Sequence, residues 1–189
     1  PRQDTETLVE LVLSEHKEKN ISLLDVCTGS GCIAISLAKL GGYTDVTALD
    51  LSEEALKVAR SNGEKLLDQP VKFIKSDMFS ALNPEKQYNV IVSNPPYIPS
   101  QVIEGLEPEV KDHEPRMALD GEPDGLKFYR ILAEEGKKYL KNGGSIYMEI
   151  GWDQAKDVTE IFEAMGFSGL RTVRDMAGND RVVCARKEK

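Results

Sequence analysis

At 189 residues, 40% hydrophobic and 30% charged, the chain has the make-up of a soluble globular domain large enough to bury a real core. Its net charge of −8 argues against a broad duplex-binding face, which needs clustered Lys and Arg. No apolar run approaches a membrane span, and no secretory signal pattern opens the chain.

In chain order, Thr5 to Lys17 carries Leu8, Val9, Leu11, Val12 and Leu13 among charges and predicts an amphipathic helix, with Thr5 as a candidate cap. A first strand, residues 21–26, runs into Cys27-Thr28-Gly29-Ser30-Gly31 and a helix from Cys32 to Leu40. A second strand, 44–49, ends at Asp50, and Ser52 caps the helix after it. A third strand covers 71–75 and leads to Ser76-Asp77-Met78-Phe79. Tyr88 to Ser93 is an apolar fourth strand. A helix over 126–140, a turn at Asn142-Gly143-Gly144, a fifth strand over 145–150 and a helix over 153–165 follow. Two last strands, 167–173 and 181–185, flank a polar turn and predict an antiparallel hairpin at one edge.

Strands alternating with helices predict an α/β fold, a mostly parallel sheet with helices on both faces. One domain over residues 1–189 is expected, and a start at Pro1 rather than Met points to a fragment of a longer product. Residues 94 to about 124 hold no clear element, and loops that long inside compact domains are usually functional. Cys27, Cys32 and Cys184 lack paired spacing and lie in apolar segments. With only His16 and His113 beside them, they predict buried thiols in a reducing compartment and no metal site.

Four segments that carry chemistry follow four successive strands. A strand entering Gly-x-Gly and a helix is a nucleotide-site signature, because glycine admits close backbone approach and the helix start favours negative charge. Ala34 stands where a dinucleotide fingerprint has its third glycine, which favours a ligand bearing an amino-acid carboxylate over a pyrophosphate. Asp50 is placed to accept the hydroxyls of a ribose. Asp77 is placed to accept from an adenine amino group, with Met78 against the ring. Asn94-Pro95-Pro96-Tyr97 forms a stiff corner, because each proline fixes its own φ and restricts the residue before it. The Asn94 side-chain oxygen and the Pro95 carbonyl then offer two acceptors to a planar NH2 group, with the Tyr97 ring as a wall. A nucleoside ligand beside an NH2 acceptor fits methyl transfer from S-adenosylmethionine.

These motifs, with Pro1-Arg2-Gln3-Asp4-Thr5-Glu6, Glu114-Pro115-Arg116-Met117-Ala118-Leu119-Asp120-Gly121 and Asp175-Met176-Ala177-Gly178-Asn179-Asp180-Arg181, resemble the glutamine-specific protein methyltransferases of the HemK/PrmC type. The resemblance covers essentially the whole chain. It implies the class I, Rossmann-like S-adenosylmethionine-dependent fold and methylation of the glutamine amide in the Gly-Gly-Gln motif of peptide-chain release factors. By position, residues 27–31, Asp50, Asp77, Met78 and Asn94 would hold the cofactor and residues 94–97 the glutamine, with Asn94, Pro95 and Tyr97 catalytic. Arg2, Glu6, Glu114 and Arg116 fall on the substrate side. The family's N-terminal helical domain is not in this chain, and a cytoplasmic monomer without nucleic acid is expected. Cys27 and Glu122 stand where the family favours glycine, and Met78 where it favours an aromatic residue. The rival readings are an adenine-amino DNA or RNA methyltransferase, which works on a flipped base, a non-catalytic S-adenosylmethionine-binding module, and, more distantly, a dehydrogenase.

Overall fold

The computed structural model describes residues 3–103 and 116–189. Seven strands form one sheet in the order β3-β2-β1-β4-β5-β7-β6. They are β1 (Ser22–Val26), β2 (Asp45–Asp50), β3 (Lys72–Lys75), β4 (Tyr88–Ser93), β5 (Leu140–Glu149), β6 (Ser168–Arg174) and β7 (Asp180–Arg186). The first five run parallel, and β7 pairs antiparallel with both β5 and β6. The hairpin therefore enters the sheet through its second strand and leaves β6 at the edge.

Both faces of the sheet are covered, which explains the near-continuous apolar strands. On one face Leu24, Ile91, Ile146 and Met148 pack against Tyr129, Leu132 and Phe162. These last three come from α6 (Lys127–Tyr139) and α7 (Ala155–Ala164). On the other face Leu23, Val90, Val92 and Tyr147 meet Leu8, Val12, Ile33 and Leu37, from α1 (Gln3–Glu15) and α2 (Cys32–Gly41). Successive side chains of a strand point to opposite faces, so each of these strands serves both cores. Beside α2, α3 (Glu53–Leu66) is capped by Ser52, whose hydroxyl accepts from the Ala55 amide at 3.1 Å.

Four expectations need correction. Thr5 lies inside α1 rather than capping it, and its hydroxyl instead donates to Glu149 Oε2 at 3.0 Å in the interior. The glycines at 143 and 144 belong to β5, because they exchange main-chain hydrogen bonds with Lys187 beyond β7. Among the described residues, the loop after β4 contains two short helices, α4 (Ser100–Ile103) and α5 (Arg116–Leu119), and a parallel pairing of Ile98 with Asp120. Cys184 is buried, but Cys27 and Cys32 are only half-buried because they face the cavity described next.

Candidate active site

Strand register brings the site together. Val26 pairs with Leu49 on one side and Ser93 on the other, and Asp50 pairs with Lys75. The segments that follow β1, β2, β3 and β4 therefore leave the sheet at one level, around the point where strand order reverses. That is where open α/β sheets bind ligands. The Ser93 hydroxyl donates to the Val26 carbonyl at 2.6 Å and locks β4 to β1 just below. A cavity of about 450 Å³ opens there, the size of a small-molecule site. Its lining includes Cys27, Thr28, Gly29, Ser30, Asp50, Asp77, Met78 and Asn94 to Tyr97.

The glycine loop is held by main-chain bonds. The Thr28 amide donates to the Leu49 carbonyl at 2.8 Å and the Gly31 amide to the Thr28 carbonyl at 2.9 Å. Gly29 and Gly31 have φ of 56° and 82°, which glycine adopts without steric cost. Gly31 does not line the cavity; its α-carbon faces Ala59 and Phe73, so its part is to turn the chain into α2 and let α3 pack closely. Cys27 holds a φ of 64° despite its side chain. Burial, reinforced by the charges of Asp50 and Asp25, pushes its thiol well above the ordinary range. It stays protonated, with Sγ 3.6 Å from the Met78 sulfur, and so is no nucleophile.

Under the loop, Asp25 is fully buried. Thr28 Oγ1 donates to its Oδ2 at 2.7 Å, while Oδ1 has no hydrogen-bond partner among the described residues. Burial raises its pKa to about 7, against the pull of Thr28 and of the Ala34 amide at the start of α2.

Asp50 accepts the Gly29 amide at Oδ2, 2.8 Å, and the Ser52 amide at Oδ1, 2.9 Å. Each oxygen keeps a further lone pair for a ligand hydroxyl. Asp77 is exposed at the rim. Met78 is buried with φ 48°, its carbonyl held by the Ser76 hydroxyl at 2.7 Å.

At the far end, Pro95 and Pro96 are buried, and Asn94 and Tyr97 are partly exposed to the cavity. Among the described residues no hydrogen bond engages the Asn94 side chain. Past the corner, the Ile98 amide donates to the Leu119 carbonyl at 2.9 Å and the Gly121 amide to the Ile98 carbonyl at 2.8 Å. Thr5, Leu51, Met117 and Phe128 also line the cavity. Thr5 and Met117 fall in stretches that carry the family resemblance and Leu51 follows Asp50, whereas no local pattern marks Phe128 in the first turn of α6. Of the residues expected near a substrate, Arg116 pairs with Asp120 at 3.0 Å, Glu6 is exposed, and Arg2 and Glu114 lie outside the described residues. Among the described residues no cluster of His, Cys, Asp or Glu could hold a metal ion, and no helix is long and apolar enough to cross a membrane.

A family model described as Methyltransferase small domain matches residues 3–105. The release factor glutamine methyltransferase of Thermodesulfovibrio yellowstonii is 43% identical over 100% of this chain and 68% of its own length. The chain belongs to the release factor glutamine methyltransferases. Another member, from Fusobacterium nucleatum, is 44% identical over 99% of this chain and 53% of its own. The chain thus spans from about half to about two thirds of the length of the curated release factor glutamine methyltransferases it matches. The solved release-factor-specific protein-(glutamine-N5) methyltransferase of Alicyclobacillus acidocaldarius superposes with a TM-score of 0.60 at 31% identity, covering 100% of this chain and 94% of that one.

Family and fold imply S-adenosylmethionine as cofactor, and the cavity suits it. The amide-rich start of α2 would favour a carboxylate's charge, Asp50 has free acceptor capacity for ribose, and no atom lies within 4 Å of a β-carbon placed at Gly29, leaving room for a ligand against the backbone.

Proposed function

We propose that this chain transfers a methyl group from S-adenosylmethionine to the side-chain amide nitrogen of glutamine in the Gly-Gly-Gln motif of a peptide-chain release factor. The observation that carries the reading is a single cavity lined by both the glycine loop with Asp50 and the Asn94–Tyr97 corner. The 43% identity to a release factor glutamine methyltransferase supports the choice of acceptor. Residues 1–189 act as one catalytic domain, and the partner is a cytoplasmic protein rather than nucleic acid.

An amide nitrogen is a poor nucleophile, because its lone pair is delocalised into the carbonyl. When bound, the cofactor supplies an electrophilic methyl carbon, so the protein's task is to aim the nitrogen and stabilise the charge that develops on it. Asn94 Oδ1 and the Pro95 carbonyl accept the two amide hydrogens. Neither Pro95 nor Pro96 has an N–H to compete for them. With both hydrogens held, the nitrogen is fixed in one orientation and its growing positive character faces two acceptor dipoles. As the nitrogen–carbon bond forms, the methyl–sulfur bond would break, S-adenosylhomocysteine would leave as a neutral thioether, and one of these hydrogens would leave as a proton to solvent. Tyr97 covers the amide plane. Gly29 and Ser30, with the start of α2, hold the cofactor's carboxylate, Asp50 holds its ribose, and Asp77 and Met78 receive its adenine.

The test is a methyl-transfer assay with labelled S-adenosylmethionine offered to a release factor, to its Gly-Gly-Gln Gln→Ala variant and to duplex DNA. Label on the intact release factor alone supports the reading. Label on DNA, or on the Gln→Ala variant, refutes it.

A further inference from the structure

The Asn94–Tyr97 corner is held from behind by one buried side chain on a different element. Gln154 immediately precedes α7 and is 7% exposed. Its Nε2 donates to the Tyr97 carbonyl at 2.8 Å and reaches the Gly125 carbonyl at 3.3 Å. Its Oε1 accepts the Gly151 amide at 2.8 Å. One carboxamide thus joins three segments: the acceptor corner, the turn that leads into α6, and the link between β5 and α7. Both glycines in this joint are there for space. A β-carbon at Gly125 would come within 2.5 Å of the Tyr97 carbonyl oxygen, and one at Gly151 within 2.9 Å of Gln154 Oε1 and 3.4 Å of the Tyr97 ring. Gly125 also has φ 75°.

We infer that Gln154 is a positioning residue for transfer: it does not touch the acceptor but fixes the Tyr97 peptide, and through it the wall that aims the glutamine amide. The inference rests on the function proposed above. Only a carboxamide satisfies all three partners, because the site needs two donors toward carbonyls and one acceptor toward an amide. An isosteric Gln154→Met side chain fills the space with no hydrogen bond. Gln154→Glu keeps the acceptor, but when ionised it sets negative charge against two carbonyl oxygens; when protonated it regains one donor. Burial raises the pKa of such a carboxyl, so its protonated form is accessible near neutrality.

The experiment compares wild type, Gln154→Met and Gln154→Glu in the labelled release-factor assay, with cofactor affinity by calorimetry and amide hydrogen exchange on the same samples. Misplacement of a reacting group by an ångström costs on the order of a hundredfold, so Gln154→Met lowers kcat by roughly 10- to 100-fold and leaves S-adenosylmethionine affinity within about twofold. For Gln154→Glu, the ratio of its kcat to wild type rises as pH is lowered, whereas the Gln154→Met ratio stays flat. Exchange at the Ile98, Gly121 and Gly151 amides speeds up in Gln154→Met, while that at the Thr28 and Gly31 amides does not. The inference is overturned if folded Gln154→Met keeps wild-type kcat, if cofactor affinity falls as far as kcat, or if exchange at Ile98 and Gly121 is unchanged. A wild-type chain that labels no release factor refutes the proposed function instead, and the exchange data then still decide the role of Gln154.

Discussion

The glycine loop and the Asn94–Tyr97 corner leave adjacent strands at the same level, yet different forces hold them. The loop after β1 is tied to the neighbouring strand end by the main-chain bond from Thr28 to Leu49 and by the Gly29 amide donating to the Asp50 carboxylate, and continues into a helix. The corner after β4 departs into a long loop and is secured by Gln154 and by the pairing of Ile98 with Asp120. The first wall is a product of sheet register and comes with the fold. The second depends on a few side chains and short pairings, so substitutions there change transfer while the cofactor wall persists.

The sharpest way to break this division is Asn94→Ala. Removing one preorganised polar group from a reacting centre costs about a hundred- to a thousandfold. Transfer by Asn94→Ala is expected to fall by about that factor, with S-adenosylmethionine affinity within about tenfold of wild type, read by labelled transfer and calorimetry. Asp50→Asn tests the other wall. Hydrogen bonds to a charged acceptor contribute about 1.5–3 kcal/mol, so its cofactor affinity drops by roughly 10- to 100-fold, and saturating cofactor restores most of the turnover. An Asp50→Asn variant that binds normally but cannot turn over would merge the two walls into one.

A third test concerns stability beneath the loop. The Asp25 pKa is raised to about 7 in the folded chain, against about 3.9 unfolded. The folded state therefore holds a proton that the unfolded state has lost over roughly pH 4–7, and stability falls as pH rises through that window. Asp25→Asn removes this slope. Its melting temperature should exceed that of wild type at pH 8, and the gap should shrink as pH falls toward 4. A constant gap would mean that Asp25 is not the group responsible. The smallest effect is expected at Glu122, whose φ of 66° strains a non-glycine residue in the loop that Gln154 helps secure. Its ion pair with Lys127 is exposed and adds little. Glu122→Gly should raise stability by up to about 1 kcal/mol, measured by urea unfolding, with cofactor affinity unchanged.

The sequence made the parallel strands legible because both faces of the sheet are buried and the apolar runs are unmistakable. Tyr88 to Ser93 matches β4 residue for residue, and the candidate ligand segments could be placed because each sits where a strand ends. Cys27 and Glu122, flagged where relatives favour glycine, both prove to have left-handed backbones. Three things were hidden. Thr5 looks like a cap by local chemistry, but its hydroxyl is claimed by Glu149, 144 residues away. The start of β5 looks like a turn because Gly143 and Gly144 punctuate it, whereas pairing with Lys187 makes it strand. Gln154 looks like an ordinary residue before a helix; its meaning lies in carbonyls 57 and 29 residues away. Local propensity does not encode such partners.

The place of β7 in the sheet bears on how the chain comes to be made. The last of the seven strands in chain order is not an outer one: it lies between β5 and β6. Until residues 180–186 leave the ribosome, β6 has no ladder to join, and β5 presents an open edge of unpaired amides and carbonyls. Helix α1, which precedes all seven strands, also waits, since Thr5 closes on Glu149 and Glu15 on Arg171. Helix α1 and the β6–β7 hairpin are joined across one face of the sheet, so everything between them must be made before the sheet can close.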